Sequence, residues 1–425
     1  MKKTGLILAV IALTALVFGC TPKGDPNYLR YAWWGNNTRD ERTLAVTQLF
    51  MEENEGITIE TEPTGWDGYW PKMNTQAAAG SLPDLMQQDY AYIEQYNNRN
   101  QLLDMKRFVD NGTIDLSNWA QSAIDLGIVN NRLVGLSMGI NAWGMGVDPE
   151  VLRRANVTID DTTWTWKDYE QIALTIFRTT GVQTMPFNEF QQIFEHVVRQ
   201  FGYGFFDKTS LGWAEDPAAS EAIKELLDMH LRLREAGALF DPEDAFILAR
   251  AMEEFPLARG RTWNNFHWSN QHQGHMNATR RQLDFILFPT VSGNNAPHYG
   301  TYLKPSMFIS ILRTSPNPEL AADFVNFILN DLDANRILLA ERGSPVPSHI
   351  REDLGDRVDP GMKYIFDFIS RITPYTGPID PPDPPTSGEV RDVMRPLLLQ
   401  CLMGRLPTDA AVTQMVQAAN AVLGR

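Results

Sequence analysis

The sequence predicts an α/β fold built from two lobes. Strand-like and helix-like segments alternate through the first third of the chain, a pattern typical of a largely parallel sheet covered by helices. The chain of 425 residues is longer than one hydrophobic core usually holds. An extended segment at 131–147 is punctuated by glycines and has no helical period, so we interpret it as a strand that crosses into a second, helix-rich lobe.

Two adjacent tryptophans end the first predicted strand. Trp33 and Trp34 point to opposite faces because strand side chains alternate, and the capping-box spacing of Thr38 and Glu41 predicts a helix from there to about residue 54. Ligands bind outside the carboxyl ends of strands in open α/β sheets, while burial of either ring in the core is the alternative. The candidate binding residues at this junction are Trp33, Trp34, Asn36 and Asn37.

The same arrangement recurs at two further strand ends. The alternating segment 57–62 is followed by a loop with three aromatic residues, and the strand 85–88 is followed by an acid and a tyrosine. A sugar ring stacks a C–H face on an aromatic ring, and its hydroxyls pair with amides or carboxylates. An unpaired buried polar group costs about 1–3 kcal/mol, so such residues also discriminate between ligands. The candidates here are Trp66, Tyr69, Trp70, Asp89 and Tyr90.

Helices dominate the remainder of the chain. They are predicted at 149–155, at 165–180 behind a Thr165 and Asp168 capping box, at 216–236 before Gly237, at 315–329, and after 347. Buried strands are predicted at 283–289 and 307–312. A further cluster of aromatic and amide residues at 261–270 has the same composition as the strand ends of the first lobe.

The N terminus has the pattern of an export signal. Lys2 and Lys3 precede an uncharged stretch at 5–19 that is too short to span a bilayer comfortably. Residues 17–20, Val-Phe-Gly-Cys, resemble a bacterial lipobox, so Cys20 is expected to be lipidated and residues 20–27 to form a tether. The alternative is a secreted protein with an incidental cysteine. Cys401, the other cysteine, is predicted to be a small core residue without a disulfide partner.

Charge and motif content exclude several classes of function. Removing the leader with its two lysines changes the formal net charge from −15 to −17, which disfavours nucleic acid and anionic membrane surfaces as partners. His267, His272 and His275 lie close in sequence, but no cysteine or carboxylate joins them, so we interpret them as surface or rim residues and predict no metal. Neither a phosphate-binding loop nor a nucleophile elbow occurs, and no cofactor is expected.

Segments along nearly the whole mature chain carry a family resemblance. They are Trp33-Trp34-Gly35, 80–84, 89–92, 136–149, 268–270, 315–330 and 341–347. In this order and spacing the chain resembles the family 1 extracellular solute-binding lipoproteins of carbohydrate-uptake ABC transporters, the maltodextrin-binding-like group. The resemblance implies a type II periplasmic-binding-protein fold, in which two mainly parallel α/β lobes close on a sugar, with crossings near 135–140, 288–289 and 312–315.

The resemblance also implies a domain organisation and a site. Residues 1–19 would be the signal, 28–137 plus 289–313 the first lobe, and 138–288 plus 314–425 the second. Besides the first-lobe candidates above, contacts fall on Asn141 and Trp143 at the hinge, and on Phe266, Trp268, Asn188, Glu189 and Tyr375 in the second lobe.

The expected protein is a monomeric, membrane-anchored lipoprotein outside the cytoplasm, not an enzyme. It would bind an extracellular sugar, expected to be an oligosaccharide, and deliver it to the permease of an ABC importer. The alternative is a secreted glycoside hydrolase or lyase, whose acid and base would come from carboxylates in the first lobe. Those carboxylates are Glu60, Glu62, Asp67 and Asp89, and no pair among them is fixed by spacing.

Overall fold

The computed structural model describes residues 24–246, 252–291 and 300–424. The expected signal segment and Cys20 lie outside these residues. The strands are β1 (Tyr28–Trp34), β2 (Thr58–Thr64), β3 (Leu85–Gln88), β4 (Ile128–Val129), β5 (Arg132–Leu133), β6 (Leu136–Val147), β7 (Asn264–Trp268), β8 (Asp284–Ile286) and β9 (Leu303–Ile311).

Helices flank these strands throughout. They are α1 (Asn37–Glu53), α2 (Trp66–Ala78), α3 (Tyr90–Asn98), α4 (Lys106–Asp110), α5 (Gln121–Asp125), α6 (Pro149–Arg154), α7 (Trp166–Thr180), α8 (Phe190–Arg199), α9 (Pro217–Glu235), α10 (Pro242–Phe246), α11 (His272–Thr279), α12 (Pro318–Asn330), α13 (Leu332–Leu338), α14 (Ser348–Leu354), α15 (Pro360–Ile372), α16 (Ser387–Leu402) and α17 (Thr408–Leu423). The predicted α/β class is confirmed.

Strand β6 connects the two lobes. The first-lobe sheet has the order β2-β1-β3-β9-β6, in which β1 is parallel to β2 and β3, and β9 is antiparallel to β3 and β6. The first half of β6 pairs with β9 as far as Ala142, and its second half, from Trp143, pairs antiparallel with β7 and β8. One strand therefore belongs to both lobes, as the glycine-punctuated segment predicts.

Two hydrophobic cores follow this division. The first contains β1, β2, β3, β9 and the start of β6, and the second contains the end of β6, β7, helices α7 to α9, and α16 with α17. Buried side chains of α12, α13 and α15 join the first core, which differs from the predicted boundary that assigned 314–425 to the second lobe. The chain therefore reaches the second core through 373–386 and not through 312–315. Helix α12 packs beside β1 and β9, and Phe368 of α15 packs on Phe285 of β8, which belongs to the same core.

Local sequence signals predict where most helices and strands begin and end. Two of these predictions are wrong. Asn36 caps α1, since its side-chain oxygen accepts from the Arg39 N–H at 3.0 Å, so the predicted capping box of Thr38 and Glu41 is wrong. Asparagine is among the strongest N-cap residues, and here it precedes the threonine. Residues 66–70 belong to helix α2 instead of a loop. The capping box of Thr165 with Asp168 is confirmed.

Candidate functional site

Aromatic rings gather where β1 ends and α2 and α3 begin. The Trp34 ring centre lies 5.1 Å from that of Trp66, 5.2 Å from Tyr69 and 5.6 Å from Trp70, and Trp70 stacks on Tyr92 at 4.1 Å. We call these five residues the first-lobe aromatic cluster. Its members are buried or half-buried except Trp66, which is 45% exposed. Edge-to-face packing against buried rings holds Trp66 in place while one side stays open.

Several predicted contacts at this junction have structural partners instead. Trp33 is fully buried, and its indole N–H donates to Asp40 at 2.8 Å, so it is a core residue, the alternative left open by the sequence. Tyr69 is also fully buried, with its hydroxyl donating to the Gln87 carbonyl at 2.7 Å. Asn36 is the helix cap described above, and Asn37 is exposed in the first turn of α1.

A carboxylate follows β3 in the first lobe, at the start of α3. Asp89 caps α3 by accepting from the Ala91 N–H at 2.9 Å. Burial raises the pKa of Asp89, and the Ala91 N–H and the ammonium of Lys304 partly oppose that rise. Tyr90 beside it donates its hydroxyl to the carbonyl of Asp380 at 2.5 Å, and so joins the first lobe to the crossing segment 373–386.

The hinge brings residues of both lobes together. Asn141 on β6 is paired in register with Lys304 on β9. The Lys304 ammonium lies 4.8 Å from the ring centre of Trp268, and Trp268 packs edge-to-face on Trp143 at 5.2 Å. Lys304 therefore connects Asp89 in the first lobe with Trp268 in the second. Sequence reasoning missed it, because an exposed lysine in an apolar strand has no distinguishing local signal.

The second-lobe candidates are unequally placed. Phe266 is 3% exposed and stacks on Phe288 at 5.7 Å, so it is a core residue. Asn188 is equally buried, and its side-chain oxygen has no hydrogen-bond partner among the described residues. Burial raises the pKa of the half-buried Glu189, partly offset by Arg395 and Arg391. Tyr375 is half-buried in a short 3-10 turn of the crossing segment.

The tryptophans separate cleanly by exposure. The chain has 11, and all of them lie in the described ranges. All but two are buried, with exposures of 8% or less. The exceptions are the exposed Trp66 in the first lobe and the half-buried Trp268 in the second. Each is therefore partly accessible to solvent, Trp66 in the first lobe and Trp268 in the second.

Comparison with known proteins identifies the family. Residues 45–346, more than half of the chain, match the family model described as a bacterial extracellular solute-binding protein. The chain belongs to the bacterial extracellular solute-binding proteins. This solute-binding protein is similar to one from Escherichia coli strain K12, YcjN, named as an ABC transporter periplasmic-binding protein, with 26% identity over 169 residues. That alignment spans 37% of either chain, little more than a third of the curated relative.

Solved structures resemble this solute-binding protein over nearly its full length. A family 1 extracellular solute-binding protein from Alicyclobacillus acidocaldarius is 26% identical, with a TM-score of 0.85 over 94% of this chain and 98% of its own. An oligogalacturonide binding protein from Yersinia enterocolitica is 17% identical, with a TM-score of 0.75 over 93% and 98%. A cyclic alpha-maltosyl-1,6-maltose binding protein from Arthrobacter globiformis is 16% identical, with a TM-score of 0.68 over 93% and 99%.

One charged cluster of the solute-binding protein has no counterpart in the sequence prediction. Arg199 of α8 donates to the carboxylate of Asp380, to the Pro378 carbonyl, and to the Gly300 carbonyl at 3.0 Å. Its guanidinium also lies 4.7 Å from the ring centre of Tyr302. We call Glu195, Arg199, Tyr302 and Asp380 the Arg199 cluster. Beside it is a recess lined by Trp143, Gln192, His196, Phe288, Gly300, Thr301 and Tyr302.

The three histidines near β7 are buried, so their interpretation as surface or rim residues is wrong. The Nε2 of His267 lies 3.1 Å from the Nδ1 of His272, and the rings of His267 and His275 are 4.1 Å apart. Both α11 histidines face inward because they lie at i and i+3 on one side of that helix. Within the described ranges, no three His, Cys, Asp or Glu residues are arranged to hold a metal ion. Nor is any helix of these ranges both long and apolar enough to cross a bilayer.

Proposed function

We propose that this solute-binding protein binds an oligosaccharide between its lobes and delivers it to the permease of an ABC importer, without chemical change. The observation that carries the proposal is that, of the eleven tryptophans, only Trp66, which is exposed, and Trp268, which is half-buried, are not buried, and that they lie one on each lobe. Buried rings hold both in fixed orientations. Aromatic platforms on both sides suit a ligand with more than one sugar ring.

Polar groups near the hinge strand would form hydrogen bonds with the sugar hydroxyls, in addition to the aromatic stacking. Lys304 lies over the Trp268 ring, is paired in register with Asn141 and acts on the Asp89 carboxylate, so these three residues offer acceptors and donors to ring hydroxyls near that tryptophan. A ligand that touches both lobes favours the closed form by its differential affinity for that form. Two structural neighbours are named for oligosaccharide ligands, which supports the ligand class.

Two of the four carboxylates considered for a glycoside hydrolase, Glu60 and Glu62, have side-chain partners. Burial would raise the pKa of Glu62, but hydrogen bonds from Lys72 and Gln76 and the charge of Arg30 lower it. An ionised carboxylate held in this way is a poor general acid, since that role requires a raised pKa. Glu60 accepts from the Tyr28 hydroxyl. These contacts favour binding over hydrolysis.

A ligand screen tests the proposal. Thermal unfolding should be recorded with neutral mono- and oligosaccharides, followed by titration calorimetry of every sugar that raises the melting temperature. A sugar at about 100 times its Kd should add about 2.7 kcal/mol to the free energy of unfolding. No new reducing ends should appear on prolonged incubation. A folded protein that binds no sugar at millimolar concentration contradicts the proposal, and new reducing ends would favour the enzyme.

We also propose that Cys20 carries a lipid anchor. Cys20→Ala is expected to move the protein from the membrane fraction to the soluble extracytoplasmic fraction, because a processed polar tether alone has little affinity for a bilayer. Fractionation followed by immunoblotting measures this. The matched control is Cys401→Ala, which removes a buried thiol of the second core and should leave the protein membrane-bound. Full membrane retention of Cys20→Ala with the leader removed would contradict the anchor.

A further inference from the structure

The recess beside the Arg199 cluster lies next to a cation, Arg199, that is already paired with a carboxylate of the protein. We propose that the surface formed by this recess, the Arg199 cluster and the neighbouring Trp268, whose ring lies 6.2 Å from that of Tyr302, contacts an uncharged sugar through its hydroxyls and discriminates against uronic acids. This inference rests on the proposed function and names the class of sugar that the second lobe accepts. It depends on the cations near the recess, on the carboxylates beside them, and on the buried polar atoms that have no partner.

A ligand carboxylate would require a cation, and the cation nearest the recess is already paired. Arg199 is 8% exposed, and its three donor nitrogens bond to the Asp380 carboxylate and to two backbone carbonyls. One of these carbonyls belongs to Gly300, which lines the recess. Bidentate pairing of Arg with a ligand carboxylate uses the same donors. A uronic acid would therefore have to displace Asp380 to reach this guanidinium.

The charge of Lys304 is partly balanced in a similar way. Its ammonium lies over the Trp268 ring and acts on the half-buried carboxylate of Asp89. Arg391 of α16 donates to Gln191 of α8 at 2.9 Å and lies 3.5 Å from Asp383. Arg199 and Arg391 are thus engaged by the protein's own acceptors, while Lys304 interacts with the Trp268 ring and the Asp89 carboxylate.

The carboxylates of the Arg199 cluster disfavour the binding of a further negative charge. Glu195 shares a hydrogen bond with Tyr302, and burial together with the charge of Asp380 raises its pKa to about 8, although Arg199 opposes the rise. Asp383 acts in the same direction as Asp380. Burial thus favours the neutral form of Glu195, and the charge of Arg199 is matched by the Asp380 carboxylate. A ligand anion would meet a cation that is already paired, in a half-buried site.

The unpaired polar atoms match a hydroxyl better than a carboxylate. Among the described residues, the indole N–H of Trp143 in the recess and the second carboxylate oxygen of Asp380 are buried without a hydrogen-bond partner. The first is a donor and the second is an acceptor. A hydroxyl both donates and accepts, so sugar hydroxyls satisfy both kinds of atom, whereas an ionised carboxylate only accepts.

Matched sugar pairs test the inference. Calorimetry should compare neutral disaccharides of gluco, galacto and manno configuration with uronic acids that differ only by oxidation at C6. For each configuration that binds, the uronic acid should bind at least tenfold more weakly at pH 7. A uronic acid that binds less than tenfold more weakly, or more tightly, overturns the inference while leaving the proposed function intact. If neither member of any pair binds, the proposed function itself fails.

A pair of variants in one loop locates the origin of the selectivity. Asp380→Asn removes the carboxylate partner of Arg199, so the ratio of uronic acid to neutral affinity should rise at least fivefold. Asp383→Asn removes a carboxylate three residues away that contacts Gln191 and Arg391 and acts on the cluster only through its charge, so it should raise the ratio less than Asp380→Asn does. Equal ratios in both variants and the wild type overturn the role of the cluster. The wild-type comparison still decides the inference if Asp380→Asn does not fold.

Discussion

Replacing Trp66 by alanine is expected to weaken sugar binding about tenfold to hundredfold, and Trp268→Ala should have an effect of similar size. Each change removes one of the two ring faces that the tryptophans present to solvent. Aromatic platforms and interface anchors contribute about 1–3 kcal/mol each, which corresponds to this range in Kd. Titration calorimetry with the tightest sugar from the screen measures the loss. The ranking among related sugars should be kept, because every pyranose uses the same stacking face.

Two control variants separate loss of binding from loss of folding. Leu332→Ala removes an apolar side chain that is 37% exposed at the start of α13, and it should change neither affinity nor stability appreciably. Trp33→Phe opens space in the first core and breaks the hydrogen bond to Asp40, so it should lower the melting temperature while the sugar still binds. Wild-type affinity in Trp66→Ala would show that this ring is not part of the site.

Much of the fold could be predicted because its signals are local. Strand and helix alternation, the Thr165 capping box and the glycine stop at Gly237 each depend on a few neighbouring residues. The crossing strand was predictable for the same reason. The lobe to which α12 and α15 belong was not, because their apolar faces would suit either core. Only long-range packing decides it, that of α12 beside β1 and β9 and that of α15 on Phe285 of β8.

The sequence predicts which segments contribute residues to the site, but it does not predict which of those side chains are exposed to solvent. Trp33 and Trp34 are both buried, Trp33 beside Asp40 of α1 and Trp34 against Tyr69 of α2, and their neighbours in sequence do not predict which helix covers each ring. The Arg199 cluster could not be predicted, since Arg199 and Asp380 are 181 residues apart and neither belongs to a motif. Its loop reaches α8 only once the chain has crossed back after α15.

Acidification from pH 7 to pH 5 is expected to destabilise the second lobe through its buried histidines. Burial lowers the pKa of His272 and of His275 to about 4, and burial together with the two neighbouring histidines holds the pKa of His267 well below its usual value. The geometry explains the resistance to protonation. The Leu283 carbonyl accepts from Nε2 of His272, so its Nδ1 accepts the proton of His267, and an added proton there would face another donor.

The sign of the effect follows from proton binding. Between pH 6.5 and about pH 4 these histidines take up protons in the unfolded chain but not in the folded one, so stability falls as the pH falls through that window. Above pH 6.5 both states are neutral and the contribution is complete. A shift from 6.5 to 4 corresponds to about 3 kcal/mol for one histidine, of which about 2 kcal/mol is lost by pH 5. Urea unfolding at a series of pH values measures the slope.

His275→Phe isolates one member of this cluster. The variant keeps a ring beside His267 and Phe255 but removes the titrating group, so the stability lost between pH 7 and pH 5 should be smaller by about 2 kcal/mol. Asn277→Ala on the exposed side of the same helix changes no titrating group, and its pH dependence should follow the wild type. If His275→Phe lost stability with acid as steeply as Asn277→Ala, protonation of His275 would not contribute to acid unfolding, and other buried groups of the second lobe would have to supply the slope.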